Sequence, residues 1–94
     1  MTHPLLDKQP KTPFKIIGVQ FSGNNSTTYF YRAPEDMGIE PGDRVVTPKG
    51  ESFTLPTVVG VYPPDCHDAG QAVDWVVQKI DTTRYQALKR EYAL

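Results

Sequence analysis

The tetrapeptide D-C-H-D at 65–68 is the one place in this chain where a thiol, an imidazole and carboxylates meet. Zinc would draw on about four ligands in tetrahedral array, most often supplied as spaced pairs. Adjacent Cys66 and His67 in an extended loop point apart, and the only other histidine is His3. Nucleophilic catalysis by Cys66 needs a base beside it and a third group to orient that base; the geometry that disfavours a metal disfavours His67 in this role too. The carboxylate pairs Glu35/Asp36 and Asp65/Asp68 sit among prolines and glycines. Nothing near them supplies the apolar pocket that lifts a carboxyl pKa toward neutrality. The turn G-N-N-S at 23–26 lacks the lysine and the strand-to-helix setting of a phosphate loop. The expectation is therefore no catalytic residue, no metal and no cofactor.

Aromatic and cationic residues are the stronger lead. Tyr29, Tyr31 and Tyr62 fall in β-prone segments, with Arg32, Arg44 and Lys49 near them in sequence. Exposed strand aromatics beside cations can stack bases or hold the side chains of a partner. These six residues are the candidate binding site.

The elements that must carry them read as short strands. Residues 15–22, K-I-I-G-V-Q-F-S, place Ile17, Val19 and Phe21 on one face and Ile16 on the other. Gly18 inside this run marks a bend. Residues 27–32 form a second strand, expected to turn Phe30 to the core and Tyr29 and Tyr31 to the opposite side. A loop follows, with one helical turn expected after Pro34. Pro41-Gly42 then suits a type II turn, because glycine takes the required positive φ cheaply. Further strands are expected at 44–47, 52–55, Thr57–Tyr62 and 73–80. Asp81 is placed to cap a helix over 82–92, whose Tyr85, Leu88 and Tyr92 recur at helical spacing and would dock it. Residues 1–13, with Pro4, Pro10 and Pro13, read as an extended arm, and 14–94 as a single domain.

The phrase P-G-D-R-V-V-T-P followed by T-V-V-G-V resembles the small SH3-like barrels, in which a turn-G-D-x-V phrase opens a strand. It is similar to the N-terminal barrel of primosomal replication helicases and to barrels of translation and transcription elongation. The resemblance covers roughly 20 residues and implies a DNA-end-binding barrel. The hairpin after the strand, K-G-E-S, departs from the basic hairpin of those helicases. In general style, a short neutral chain with an arm and a terminal helix resembles small accessory proteins of tailed bacteriophages. The fold expected is mainly β with one α element, a five- to six-stranded antiparallel barrel of SH3-like or OB-like form with a C-terminal helix.

Composition narrows the function. A net charge of −1 argues against a dedicated electrostatic nucleic-acid binder. Basic residues gather toward the ends (Lys8, Lys11 and Lys15; Arg84, Lys89 and Arg90) and acidic ones in the two long loops. One cysteine in 94 residues forms no internal disulfide. No apolar run reaches the ~18 residues of a membrane helix, and no leader is legible, so a cytoplasmic location is expected. The expected function is a non-catalytic binding module, a protein-binding accessory or modulator of phage type. The alternative is a nucleic-acid-binding barrel acting in replication or recombination. An arm or an edge strand also offers a route to a homodimer.

Overall fold

β-branched and aromatic residues at alternating positions build the first two strands, β1 (Phe14–Phe21) and β2 (Asn24–Pro34), which pair antiparallel. The structure, a computed structural model, describes residues 11–92, without the side chains of Asn24, Asn25 and Tyr92. Most of the expected arm, residues 1–10, therefore lies outside the described residues. A 3₁₀ turn (Glu35–Met37) follows β2 and is closed by Gly38. Then come β3 (Val45–Lys49), β4 (Ser52–Thr54), β5 (Thr57–Tyr62), a second 3₁₀ turn (Ala69–Gln71), β6 (Gln78–Lys79) and α1 (Thr83–Tyr92).

These strands make two antiparallel three-stranded sheets, ordered β2-β1-β5 and β4-β3-β6. Continuous ladders do not close into the expected barrel. The sheets meet instead at single bridges, Arg44 with Thr57 and, in parallel sense, Arg32 with Trp75. The stretch expected as one strand over 73–80 explains the second meeting. The Val76 N–H donates to Arg32 O and the next amide, Val77, to Val46 O, both at 2.8 Å. Successive amides of an extended segment point to opposite sides. This segment thus serves β2 and β3 for a few residues each, and only Gln78–Lys79 forms a ladder.

The core draws on both sheets. Ile17, Val19, Ala33, Val45, Val58 and Val76 form one buried cluster, with Phe21, Tyr31, Met37, Ile39 and Val61 packed at its margin. The β1 face expected to carry Ile17, Val19 and Phe21 is the one that meets this cluster, and Ile16, outside the cluster, is fully buried as well. β2 is reversed: Ile17 lies opposite Tyr31 and Val19 opposite Tyr29, so the tyrosines share the core face. Phe30 lies opposite Gly18 on the other face, where its ring meets that of Tyr62 at 6.3 Å. Both faces of β2 carry aromatics, so hydrophobicity alone cannot orient it, and pairing register decides.

Two turns set the geometry of the second sheet. At Pro41-Gly42, Gly42 has φ +97°, and the Asp43 N–H donates back to Glu40 O at 3.1 Å. The Asp43 carboxylate in turn accepts from the Glu40 N–H at 2.9 Å. Gly50, at φ +59°, is the first residue of the two-residue loop between Lys49 and Ser52, the place a type II′ hairpin turn requires glycine. Thr47 is fully buried and its hydroxyl hydrogen-bonds that of Thr54 at 2.9 Å across this hairpin.

Lys79 ties β6 to the Pro41-Gly42 turn: its Nζ donates to Gly38 O at 3.1 Å and lies 3.3 Å from Asp43 Oδ2. The Glu40 amide, with Lys79 beside it, holds the Asp43 carboxyl below its ordinary value. A carboxylate whose pKa is lower folded than unfolded stabilises the fold above the ordinary value of about 3.9, and that contribution disappears as pH falls through the lower, folded value. Asp43→Asn is thus expected to flatten the dependence of unfolding free energy on pH in the acid range, by under about 1 kcal/mol for so accessible a pair. Urea titrations at a series of acid pH values read this directly. Equal slopes for both proteins would show that Asp43 is not in this linkage.

α1 begins where expected. The Thr83 N–H donates to Asp81 Oδ1 at 2.9 Å, and the Thr83 bonds lower the Asp81 pKa. The docking expected of α1 through Tyr85 and Leu88 is not found, and the Tyr92 side chain lies outside the described residues. Residues 83–91 are exposed, Tyr85 and Leu88 among them, and Lys89 Nζ lies 5.4 Å from the Tyr85 ring centre. With polar or charged residues over most of its surface, the helix lacks the broad apolar stripe that would bury it. No helix among the described residues is long and apolar enough to cross a membrane.

Candidate functional site: an aromatic and cationic groove

An open groove of about 710 Å³ lies where the end of the β1–β2 hairpin faces the β3–β4 hairpin. One wall is aromatic and follows from the β2 register. Tyr31 reaches in from the core margin, and Tyr29, 42% exposed, meets Phe21 edge-on at 5.2 Å with rings inclined at 72°. The opposite wall comes from β3 and β4: Pro48 and Lys49, then Phe53, 62% exposed, and Leu55. Phe53 enters the groove because the two-residue loop sets it opposite Pro48.

Arg44 completes the lining from the residue before β3. Its Nε and Nη2 both donate to Leu55 O, at 3.1 and 2.6 Å. Those bonds fix the side edge of the guanidinium and leave the Nη1/Nη2 end free for an anion, which a planar fork can hold with two bonds. Lys49 is exposed at the rim. Among the described residues no carboxylate lines the groove. Two cations thus face exposed aromatic surface, in a chain whose net charge is −1.

Four of the six candidate residues, Tyr29, Tyr31, Arg44 and Lys49, come together here. The other two are on the far face of the first sheet. Arg32 lies over the Phe14 ring, 5.7 Å from its centre, and Phe14 meets Trp75 edge-on at 5.9 Å. Tyr62 packs against Phe30 and folds back over Gly60. Phe21, Phe53 and Leu55 belong to the groove but were outside the sequence-derived set. The two-residue K-G-E-S turn was the signal that could have placed Phe53.

The D-C-H-D segment has no such organisation. The His67 side chain is 98% exposed, with Nδ1 3.5 Å from Asp68 Oδ1, and Cys66 is half-buried. Among the described residues no three His, Cys, Asp or Glu side chains gather to hold a metal. Comparison with protein-family models, curated proteins and solved structures finds no match for this chain.

Proposed function

We propose that this chain is a non-catalytic binding module, a protein-binding accessory or modulator, and that the aromatic and cationic groove is its working face. The observation that carries this reading is the convergence of Tyr29, Tyr31, Arg44, Lys49 and Phe53 around one open groove. Tyrosine and arginine are the residue types that most often dominate binding energy at interfaces. Groove side chains such as Phe53 and Tyr29 are exposed in the free chain, so their role is separable from folding. The SH3-like reading of the fold belongs to the same proposal. Its support is the Pro41-Gly42-Asp43 turn and the bridges that join β3 to β5 and β2 to the segment before β6. The phage-type role rests on the style of the sequence, and the cytoplasmic setting on its single cysteine, which suits a reducing compartment.

A second reading, a single-strand nucleic-acid platform, is favoured by the exposed rings beside two cations. It makes its own quantitative demand. Neutralising two phosphates of a single strand gives a slope of about −1.4 in log K against log salt concentration.

The immobilised full chain, incubated with lysate of its source cell, is expected to retain a stoichiometric protein partner. Phe53→Ala with Tyr29→Ala is expected to weaken that retention by about tenfold or more, with the melting temperature little changed. Retention equal to that of the unaltered chain would remove the groove as the working face.

A further inference from the structure

We infer that the chain forms a two-fold homodimer in which α1 of each copy lies on an acidic hollow beside the Glu35–Met37 turn of the other. This goes beyond the proposed binding role and uses a different surface. The helix itself supplies the first ground. α1 has ten residues, and all of 83–91 are exposed. Helices shorter than about 12–15 residues are marginal in water by themselves, and packing against another surface supplies most of their stability in proteins. At about 100° per residue, Tyr85 and Leu88 share one narrow exposed stripe, and Arg84 and Lys89 flank it on either side. Lys89 leans over the Tyr85 ring, and Arg90 falls on the far side of the helix. The one acid of α1 is Glu91.

The receiving face has the complementary make-up. A hollow of about 210 Å³ is walled by Ile17, Ala33, Ile39 and Val61, with Glu35 and Glu40 exposed at its rim. A second hollow adjoins it through Glu35 and adds Asp36. Lys15 is the cation on the rim of the first. The face is thus apolar within and mainly acidic at its edge, where α1 is apolar along its stripe and cationic on both flanks. The ion pairs among the described residues are His67 with Asp68 and Lys79 with Asp43, so Glu35, Asp36, Glu40, Arg84 and Lys89 enter none of them. Residues 1–10 offer no such match, since they hold one acid and one base, Asp7 and Lys8. Placement supports a closed pair. Met37 borders one cavity with Ile80–Thr83, so α1 springs from the same end of the molecule as the acidic turn. A two-fold axis at that end satisfies both contacts at once, whereas complementary surfaces at opposite ends would run on as a filament. The aromatic and cationic groove shares no lining residue with the hollow or with α1, so the dimer keeps two open grooves.

Sedimentation equilibrium of the full chain reads the association. The expected result is a monomer–dimer equilibrium with a dissociation constant of about 1–100 μM, in keeping with a small interface, rising about tenfold or more between about 50 and 500 mM salt. Charge exchange tests the contact itself. Arg84→Glu with Lys89→Glu sets an acidic helix against an acidic rim, and Glu35→Lys with Glu40→Lys sets a cationic helix against a cationic rim. Each variant alone is expected to be monomeric at about 100 μM, and their equimolar mixture to form a heterodimer, because both of its contacts then join opposite charges. All four side chains are exposed, so both variants are expected to keep the fold, which circular dichroism checks. An unaltered chain that stays monomeric up to about 300 μM overturns the dimer. Folded variants that dimerise alone as the unaltered chain does, or a mixture of them that stays monomeric, overturn the proposed contact. A dimer abolished by Phe53→Ala with Tyr29→Ala but kept by both charge variants overturns it as well, and places the self-contact in the groove.

Discussion

Ile17→Ala is expected to lower the unfolding free energy by about 2–5 kcal/mol, the range for removing a fully buried branched side chain that its surroundings cannot replace. Ile17 is fully buried at the middle of the central strand of the first sheet, between Tyr31 on β2 and Val61 on β5. It belongs to the cluster with Val45 and Val58, which come from strands on either side of the sheet junction. A cavity there is bounded by backbone on three strands and has little freedom to collapse. Domains of this size are stable by only about 5–15 kcal/mol. The loss is therefore a large fraction of the total and should lower the melting temperature by about 10 °C or more. Ile17→Val removes one methylene and is expected to cost about 0.5–1.5 kcal/mol. Denaturant melts of the three proteins give the series. A cost for Ile17→Ala below about 1 kcal/mol would mean that the two sheets do not share one interior.

The inner face of β1 was legible because Ile17, Val19 and Phe21 alternate with smaller or polar residues and Gly18. The Pro41-Gly42 turn and the Asp81 cap were legible for a similar reason: each depends on a residue type whose backbone or side-chain chemistry acts within a few positions. β2 was not, because Tyr29, Phe30 and Tyr31 are adjacent aromatics, and only pairing with β1 decides which of them face Val19 and Ile17. The segment 73–80 looked like a strand because its residues do lie extended. Its partners change from β2 to β3 within two residues, and no local pattern encodes that change. For the groove, the sequence pointed to tyrosines and cations, and the structure separates Arg32 and Tyr62 from the other four. Alternation along β2 already sets Arg32 on the face opposite Tyr29 and Tyr31, and Tyr62 lies on β5. The face reversal decides the rest: with Phe30 and Arg32 turned outward, Tyr29 and Tyr31 turn toward Arg44 and Lys49. One register choice thus fixes both the core and the composition of the groove.

The same register leaves a mark on the outer face. Gly18 and Gly60 lie directly opposite each other on β1 and β5, and the Tyr62 ring folds back along its own strand to cover Gly60. A Cβ built on Gly60 falls within the volume of that ring, and one on Gly18 comes 2.9 Å from Thr28 Cγ2. Gly60→Ala is therefore expected to displace Tyr62 from Gly60 and from its contact with Phe30, at a cost of about 1–3 kcal/mol as for other overpacked sites. Alanine itself is favoured over glycine within a strand, by roughly 0.5–1 kcal/mol, because the unfolded chain has less freedom to lose. The two effects have opposite signs, and Tyr62 decides between them. In a Tyr62→Ala background the obstacle is gone, so Gly60→Ala is expected to be neutral or stabilising there. A double-mutant cycle on unfolding free energy isolates the coupling, which should reach about 1 kcal/mol or more. Equal costs of Gly60→Ala in the two backgrounds would show that the ring does not rest on the glycine.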